Sequence, residues 1–274
     1  MIAQGHGSNW KCIDDIDKVF QEIVPSIFDK GRVMETIETT VDCFDDEVPV
    51  HTQVFSFSDD SELTAKLLIA NNPKTENGEL FAGYPYVNYK SIIKLKIHEI
   101  YEWDNLVEAI ITGETKNGEK ISFFDTNYFV HKESYKRGEI YDFSIFAIGY
   151  EVEMLKDDKV VLEGQQAVDW HAKLGREPTY DTDGNIKPVV IHLNELVYFM
   201  STESDTPYYM AFQSPISSIE TLRAFDKDFY KCKITIARDP DIEISLYARA
   251  DFFDTEPKVN DAIRGIMWLQ GKKE

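Results

Sequence analysis

Aspartate and asparagine side chains in the second half of the chain have a spacing that could bind an ion. Asp181, Asp183 and Asn185 alternate in the run DTDGN, and carboxylates at alternate positions can converge on a hard cation such as calcium. The rest of a calcium loop is missing, because Ile186 stands where the glycine is needed and His192 stands where the bidentate glutamate is needed. The spacing therefore favours a plain turn, in which an aspartate side chain accepts backbone N–H groups.

Two histidines lie in the same part of the sequence. His171 directly follows Asp169 and Trp170, and His192 lies further along the chain. Histidines can supply a general base or nitrogen ligands for a metal. No nucleophile and no known metal spacing accompanies them, so the sequence favours structural or solvated histidines and predicts no cofactor. The weak metal candidates are Asp181, Asp183, His171 and His192, none of them firm, and no catalytic residue is identified.

Aromatic residues give the only candidates for a ligand surface. The run FAGYPYVNY places Tyr84, Tyr86 and Tyr89 close together, where they could line a binding or stacking surface. A segment rich in Tyr and Pro more often forms a half-buried loop that caps a barrel, since aromatic residues bury their rings and keep a polar tip wet. The weak ligand-binding candidates are Tyr84, Tyr86, Tyr89 and Trp170.

Nucleotide-binding and hydrolase motifs are absent from the sequence. It contains no phosphate-binding loop, dinucleotide-binding turn or nucleophile elbow. Gly5-His6-Gly7 predicts a flexible segment rather than a phosphate site, because no strand precedes it. The sequence alone therefore identifies no activity, and it leans against an enzyme.

The candidate residues must be positioned by secondary structure, which the sequence predicts to be mostly strands. Residues 92–150 have the clearest strand pattern. β-Branched and aromatic residues are dense on both sides of Asn117-Gly118, a pair that predicts a tight hairpin because both residues tolerate positive φ. A polar segment and a strand led by Gly138 follow. A five-stranded, partly open barrel such as the OB-fold would produce this arrangement, although fold analogy says nothing direct about a ligand.

The end of the chain aligns weakly with this stretch. Ile111-Thr112 falls on Ile234-Thr235, Ile121-Ser122 falls on Ile244-Ser245, and after one deletion Phe146 falls on Trp268. Two interpretations of this alignment are open: an internal duplication, and a coincidence between two segments that are both rich in strand-forming residues. A duplication predicts two related barrel-like units.

The predicted fold class is mainly β, of the α+β kind, with two OB-like or related small β-barrel units. The boundaries are 1–89 for an N-terminal helix plus β-rich region, 90–155 for the first barrel-like unit, 156–213 for a helix and loop connection, and 214–274 for the second unit. Apolar residues at three- and four-residue steps predict a core-facing helix from Ser8 to Phe28, capped by Ser8 and stopped or kinked at Pro25; a partner-binding helix is the alternative. The last three residues predict a frayed tail.

Length and composition limit the possible classes of protein. The 274 residues, 43% hydrophobic and 13% aromatic, predict a folded chain with a substantial core. A formal net charge of -20 opposes unaided binding to nucleic acid or to anionic lipid. The three cysteines fit a reducing compartment better than a disulfide framework, and we find no secretory signal and no apolar run of the ~20 residues that a bilayer span needs. The expected location is the cytoplasm.

Three functions stay open at this point. The first is a non-catalytic cytoplasmic protein that binds another protein or its own copy. The second is a metal-dependent enzyme or small-molecule binder that uses residues 169–192. The third and least favoured is a single-stranded nucleic-acid binder, which rests on the OB analogy and on five aromatic residues: Trp103, Phe123, Phe124, Tyr128 and Tyr141.

Overall fold

The structure is a computed structural model that describes residues 4–44, 48–203 and 206–274. The protein is mainly β, as the sequence predicts. The strands are β1 (Arg32–Val41), β2 (Val50–Ser58), β3 (Leu63–Asn71), β4 (Gly78–Val87), β5 (Ile92–Glu102), β6 (Ala109–Glu114), β7 (Lys120–Asp125), β8 (Ile140–Met154), β9 (Lys159–Leu162), β10 (Val189–His192), β11 (Tyr198–Ser201), β12 (Tyr209–Ala224), β13 (Lys227–Ala237), β14 (Ile242–Arg249) and β15 (Ala262–Lys273).

The helices are short. They are α1 (Ile16–Lys18), α2 (Val24–Lys30), α3 (Tyr128–His131) and α4 (Gln165–Lys173), and a π-helical segment, Val19–Ile23, joins α1 to α2. Turns of 3-10 helix cover Asn9–Cys12, Lys132–Ser134, Leu193–Glu195 and Ala250–Phe252. In the described ranges, no helix combines the length and the apolar character that a bilayer crossing requires.

The N-terminal helix differs from its prediction at both ends. It begins after Asp15, whose side chain accepts the backbone N–H of Asp17, whereas Ser8 makes no capping bond. It runs through Pro25 to Lys30, and Pro25, which has no N–H to donate, directly follows the π-helical segment Val19–Ile23 and the Val24 N–H that closes it. The apolar face packs into the core as predicted, since Val19, Ile23, Val24 and Ile27 are buried.

An antiparallel four-stranded sheet, in the order β1-β2-β3-β4, follows the helix. The loop predicted for residues 81–89 is wrong, because residues 78–87 form β4 and pair with β3. Pro85 lies opposite Ala65 in this pair, and β4 is an edge strand of the sheet, where a residue without an N–H is tolerated.

The remaining large sheet has nine strands and closes on itself. Its order is β11-β12-β13-β14-β8-β15-β7-β6-β5, and β12 also pairs with β15 while β5 pairs with β8. One ring therefore contains β5, β6, β7, β15 and β8, and the other contains β12, β13, β14, β8 and β15. The predicted hairpin between β6 and β7 is confirmed, with Gly118 at φ +90°.

Two strands belong to both rings. β8 pairs with β5 through residues 140–144 and with β14 through residues 146–148. β15 pairs with β12 through residues 262–268 and with β7 through residues 270–271. Residues 90–155 and 214–274 are thus parts of one sheet, because each stretch supplies a strand that completes the ring of the other.

The chain end is part of this sheet, so the prediction of a frayed tail is wrong. Lys272 and Lys273 pair with Ser144 and Phe143 of β8. The Glu274 carboxylate accepts the hydroxyl of Ser144 at 2.5 Å and lies 2.9 Å from the ammonium of Lys90. Sheet hydrogen bonds and an ion pair therefore hold the last residues in place.

Apolar side chains form two buried clusters. One fills the rings and includes Phe123, Phe143, Ile234 and Leu269. The other lies between the helix, the four-stranded sheet and the outside of the rings. The N-terminal region thus packs on the closed sheet as a second layer.

Candidate functional site

The predicted ion-binding residues lie in an exposed turn. One carboxylate oxygen of Asp181 accepts the backbone N–H groups of Asp183 at 2.9 Å and of Asn185 at 2.8 Å. Hydrogen bonds led by the N–H of Asn185 lower the pKa of the Asp181 carboxyl. The turn uses this carboxylate for its own backbone, which is the arrangement of an Asx turn.

The two histidines lie on different elements. His171 is on α4, half-buried beside Trp170, and both of its ring nitrogens are buried without a hydrogen-bond partner in the described protein. His192 ends β10 and is exposed. Within residues 4–44, 48–203 and 206–274, no group of three or more His, Cys, Asp or Glu side chains could hold a metal ion.

The three candidate tyrosines differ in exposure. Tyr84 is buried and its hydroxyl donates to the carbonyl of Thr126 at 3.0 Å. Tyr86 is also buried, with the ammonium of Lys66 at 4.2 Å from its ring centroid. Tyr89 is 37% exposed, and the ammonium of Lys231 lies 3.7 Å from its ring centroid. Of the three, Tyr89 has the surface access that a ligand contact needs.

The aromatic residues considered for nucleic-acid stacking lie largely inside the protein. Trp103, Phe123, Phe124 and Tyr128 are buried, and Tyr141 is half-buried. Base stacking requires an exposed ring face. Four of these five rings therefore have no exposed face on which a base could stack.

The structure shows an apolar surface that the sequence did not reveal, on residues 156–203, which we call the excursion. Large apolar side chains that are 39–57% exposed are concentrated there. They are Val160, Val161, Leu174, Tyr180, Val190, Leu196, Tyr198 and Met200, eight of the 17 exposed large hydrophobic residues described in the chain. The excursion holds nearly half of them in about one sixth of the chain.

Strand geometry explains part of this exposure. β9 and β10 form a two-stranded sheet of their own, in which Val161 pairs with Val190 and Lys159 pairs with His192. Side chains two residues apart lie on one face of a strand, so these four share a face, and all four are exposed. A two-stranded sheet has no second layer to cover this face unless another molecule supplies one.

β11 lies at one end of the nine-stranded sheet, with β12 as its one described neighbour. Tyr198 and Met200 alternate with the half-buried Phe199, and their side chains are 41% and 51% exposed. The backbone groups on the outer edge of β11 point away from β12 and can pair with an added strand.

A second feature is a charged network in the interior between the two layers. The ammonium of Lys66 donates to the side-chain oxygen of Asn127 and to the carbonyl of Thr126 at 3.3 Å, and it lies 3.7 Å from Glu35. Burial lowers the pKa of Lys66 to about 8. Asp125 lies two residues before Asn127, and its carboxylate accepts the hydroxyl of Tyr135 at 2.5 Å and the backbone N–H of Asn127 at 2.9 Å.

Asp125 gives a pH-dependent prediction. Burial raises the pKa of its carboxyl from 3.8 to about 6, against hydrogen bonds from Tyr135 and Asn127 that favour the charged form. The folded state therefore takes up a proton at higher pH than the unfolded chain, and its stability should rise as the pH falls. Relative to Asp125→Asn, the free energy of unfolding of the wild type should rise by on the order of 1 kcal/mol between pH 7 and pH 5.

Urea unfolding of both proteins at several pH values measures this difference and cancels the general effect of charge repulsion, which both share. Tyr135→Phe removes a hydrogen-bond donor to the Asp125 carboxylate and should raise the pKa of that carboxyl further. The free energy of unfolding of Tyr135→Phe should therefore rise more on acidification, measured against Asp125→Asn, than that of the wild type does. Parallel pH profiles for wild type and Asp125→Asn would contradict the assignment.

A third feature surrounds His6, which is buried rather than part of a flexible segment. Its Nε2 lies 2.6 Å from the Glu108 carboxylate and its Nδ1 lies 3.1 Å from the Asn9 amide nitrogen. Four rings surround the imidazole, with centroids 4.7–6.1 Å away: Tyr84, Trp103, Phe124 and Trp268, which we call the aromatic cage. No local sequence pattern connects His6 with Glu108, because the two come together by packing of the N-terminal segment on the large sheet.

In comparisons with protein-family models, curated proteins and solved structures, nothing matches this chain.

Proposed function

We propose that this chain is a non-catalytic protein-binding protein and that its docking surface is the exposed apolar part of the excursion. The observation that carries the proposal is the concentration of exposed apolar side chains there, above all the Val161–Val190 pair and the edge strand β11. Exposed apolar side chains that are paired across strands, or that share one face of a strand, are typical of protein interaction sites, whereas single exposed hydrophobic residues are ordinary.

Charge indicates the kind of partner. Residues 156–203 carry nine Asp or Glu and five Lys or Arg, within a chain of net charge -20. A partner that presents basic residues around an apolar patch would match this surface. A second copy of the chain would bring another 20 negative charges, so self-association is the less favoured arrangement.

Connectivity supports the idea that the two rings are OB-like copies of one ancestral unit. Each has a three-stranded meander, a short helical segment and a fourth strand, namely β5-β6-β7, Tyr128–His131 and β8, and then β12-β13-β14, Ala250–Phe252 and β15. In each ring the fifth strand comes from the other copy and runs parallel to the third. Ala147 pairs with Leu269, and these two residues are equivalent in the alignment that places Phe146 on Trp268.

A cytoplasmic setting belongs to the same proposal. Cys12, Cys43 and Cys232 are free thiols in the structure. Burial raises the pKa of Cys43 and Cys232 to about 12, which keeps these thiols protonated and unreactive. An odd set of unpaired thiols is typical of proteins that live in a reducing compartment.

The docking surface can be tested with a double variant, Val161→Asp with Val190→Asp. This variant places two carboxylates on the exposed face of the β9–β10 sheet. It should weaken the binding of a captured and purified partner about tenfold or more, because docking would bury unpaired charge. The measurement is a biosensor titration of each protein with the partner. A repeat at higher salt should show weaker binding to the wild type, because salt screens the attraction between the acidic surface and a basic partner.

Val259→Asp is the matched control, because Val259 is 46% exposed and lies outside the excursion. It should leave partner binding unchanged, and all variants should unfold within about 0.5 kcal/mol of wild type. Equal binding by the double variant and wild type would overturn the docking surface. Failure to capture any partner, together with a light-scattering mass of one chain, would overturn the protein-binding function.

A further inference from the structure

The aromatic cage and Glu108 have the composition of a site for a small organic cation. Ring faces attract cations, and a buried carboxylate accepts N–H groups in strong hydrogen bonds. Glu108 is 2% exposed and comes from the turn before β6, while three rings come from β4, β7 and β15 and the fourth, Trp103, directly follows β5. Elements from both layers of the protein therefore converge on one small volume.

We propose that the aromatic cage, with Glu108, binds a small organic cation or imidazole-type base that carries an N–H donor, and that His6 is the internal occupant which this ligand displaces. The site is separate from the excursion, and its test does not depend on a protein partner.

His6 shows what the site recognises. One carboxylate oxygen of Glu108 accepts the side-chain N–H of Asn105 at 2.6 Å, and the other lies 2.6 Å from Nε2 of His6. Without a donor in the place of His6, this second oxygen would lie buried and unpaired, which costs free energy. A ligand that replaces His6 must therefore bring an N–H group and a flat or compact body that fits among the rings.

The segment that carries His6 is built to release it. Glycines flank the histidine, and a Cβ placed on Gly5 or Gly7 would meet no atom within 4 Å. Neither glycine contributes side-chain packing, so this segment is held by the His6 ring and by two backbone donors: the N–H of Asp104 donates to the side chain of Gln4 at 3.0 Å, and the N–H of Asn9 donates to the carbonyl of His6 at 3.0 Å. Trp10 anchors the following turn independently, because its indole N–H donates to the carbonyl of Gly83 at 2.9 Å. Rotation about the two glycines would withdraw the His6 ring and break its bonds to Glu108 and to the Asn9 side chain, while Trp10 holds the following turn in place.

A route to the site is present. A cleft of about 440 Å³ opens beside His6, with Gln4, Trp10, Phe20, Trp103, Asn105 and Glu108 among its lining residues. The Trp103 indole N–H is buried and has no hydrogen-bond partner in the described protein. An oxygen acceptor on the ligand, next to its cationic group, would satisfy this donor.

The first test uses the wild-type full chain and two ring compounds of similar size, imidazole and thiazole. Imidazole can donate an N–H to Glu108, whereas thiazole has no N–H group. Imidazole should shift the ring signals of His6 and the indole signals of Trp103 and Trp268 saturably in NMR spectra. Thiazole should bind at least about tenfold more weakly, the loss expected for one charged hydrogen bond.

Variants then separate competition from simple cavity filling. His6→Ala removes the internal competitor and should bind imidazole about tenfold more tightly than wild type. Adding Glu108→Gln to His6→Ala should cancel that gain. His98→Ala is the matched control, because His98 pairs with Glu114 at 2.5 Å on the exposed surface without a cage around it, and it should leave imidazole binding at the wild-type level.

Two outcomes would overturn the proposal. Unchanged His6 signals in the wild type at saturating imidazole would show that His6 is a fixed part of the core, whatever the variants do. Equal binding of imidazole and thiazole would show an apolar cavity without cation recognition. The wild-type titration decides the matter even if His6→Ala fails to fold.

Discussion

A chain that ends at residue 203 will not fold into the first ring, although it retains β5, β6, β7 and β8. β15 is the strand between β7 and β8 in that ring, and it pairs with residues 143–154 of β8. Its loss would expose the inner side chains of Phe123, Phe143 and Ile145, which are fully buried in the intact chain. Exposing one such side chain costs about 1.5–3 kcal/mol, so exposing these three costs an amount comparable to the about 5–15 kcal/mol by which a domain is typically stable.

The expected result is a fragment that shows no cooperative thermal transition and whose amide proton NMR signals are poorly dispersed. The control is the co-expression of two fragments, residues 1–203 and residues 206–274. It should restore a dispersed spectrum, since the strand pairings and the core are complete again. A folded and cooperative 1–203 fragment would show that the first ring stands without β15.

Gly265→Ala should lower the free energy of unfolding by about 3 kcal/mol, at the upper end of the usual cost of overpacking. Gly265 lies in β15 between two strands, paired with Val152 of β8 on one side and Phe212 of β12 on the other. A Cβ at this position would lie 1.8 Å from the carbonyl oxygen of Glu151 and 2.9 Å from the Cα of Val152. Both are backbone atoms, so the shared strands β8 and β15 would have to separate.

Urea unfolding followed by circular dichroism measures this effect, with Gly7→Ala as the control. A Cβ on Gly7 meets nothing within 4 Å, so that variant should stay within about 0.5 kcal/mol of wild type. A Gly265→Ala protein as stable as wild type would mean that β8 and β15 adjust at this point without cost.

Local patterns predicted many elements correctly. Asn117-Gly118 located the hairpin between β6 and β7, and apolar residues at three- and four-residue steps located the buried face of the N-terminal helix. These features depend on neighbours in sequence, so one sequence is enough to show them.

The predictions that failed depended on contacts made at long range. Residues 81–89 looked like a loop because of Pro85, yet β3 offers them a partner strand. The final Lys-Lys-Glu looked like a tail, yet β8 and Lys90 hold it. His6 looked flexible between its two glycines, yet Glu108 and the aromatic cage bury it.

By itself, the sequence determined that this protein is a mainly β, acidic chain, and it predicted β-rich stretches over residues 90–155 and 214–274. Only the tertiary structure decided that these two places share β8 and β15, that the excursion leaves its apolar side chains exposed, and that His6 meets Glu108. Strand alternation and turn residues encode which segments are strands, but strand partners are chosen by burial and by hydrogen bonds between distant segments. The sequence therefore revealed the elements, and the packing between them created both proposed sites.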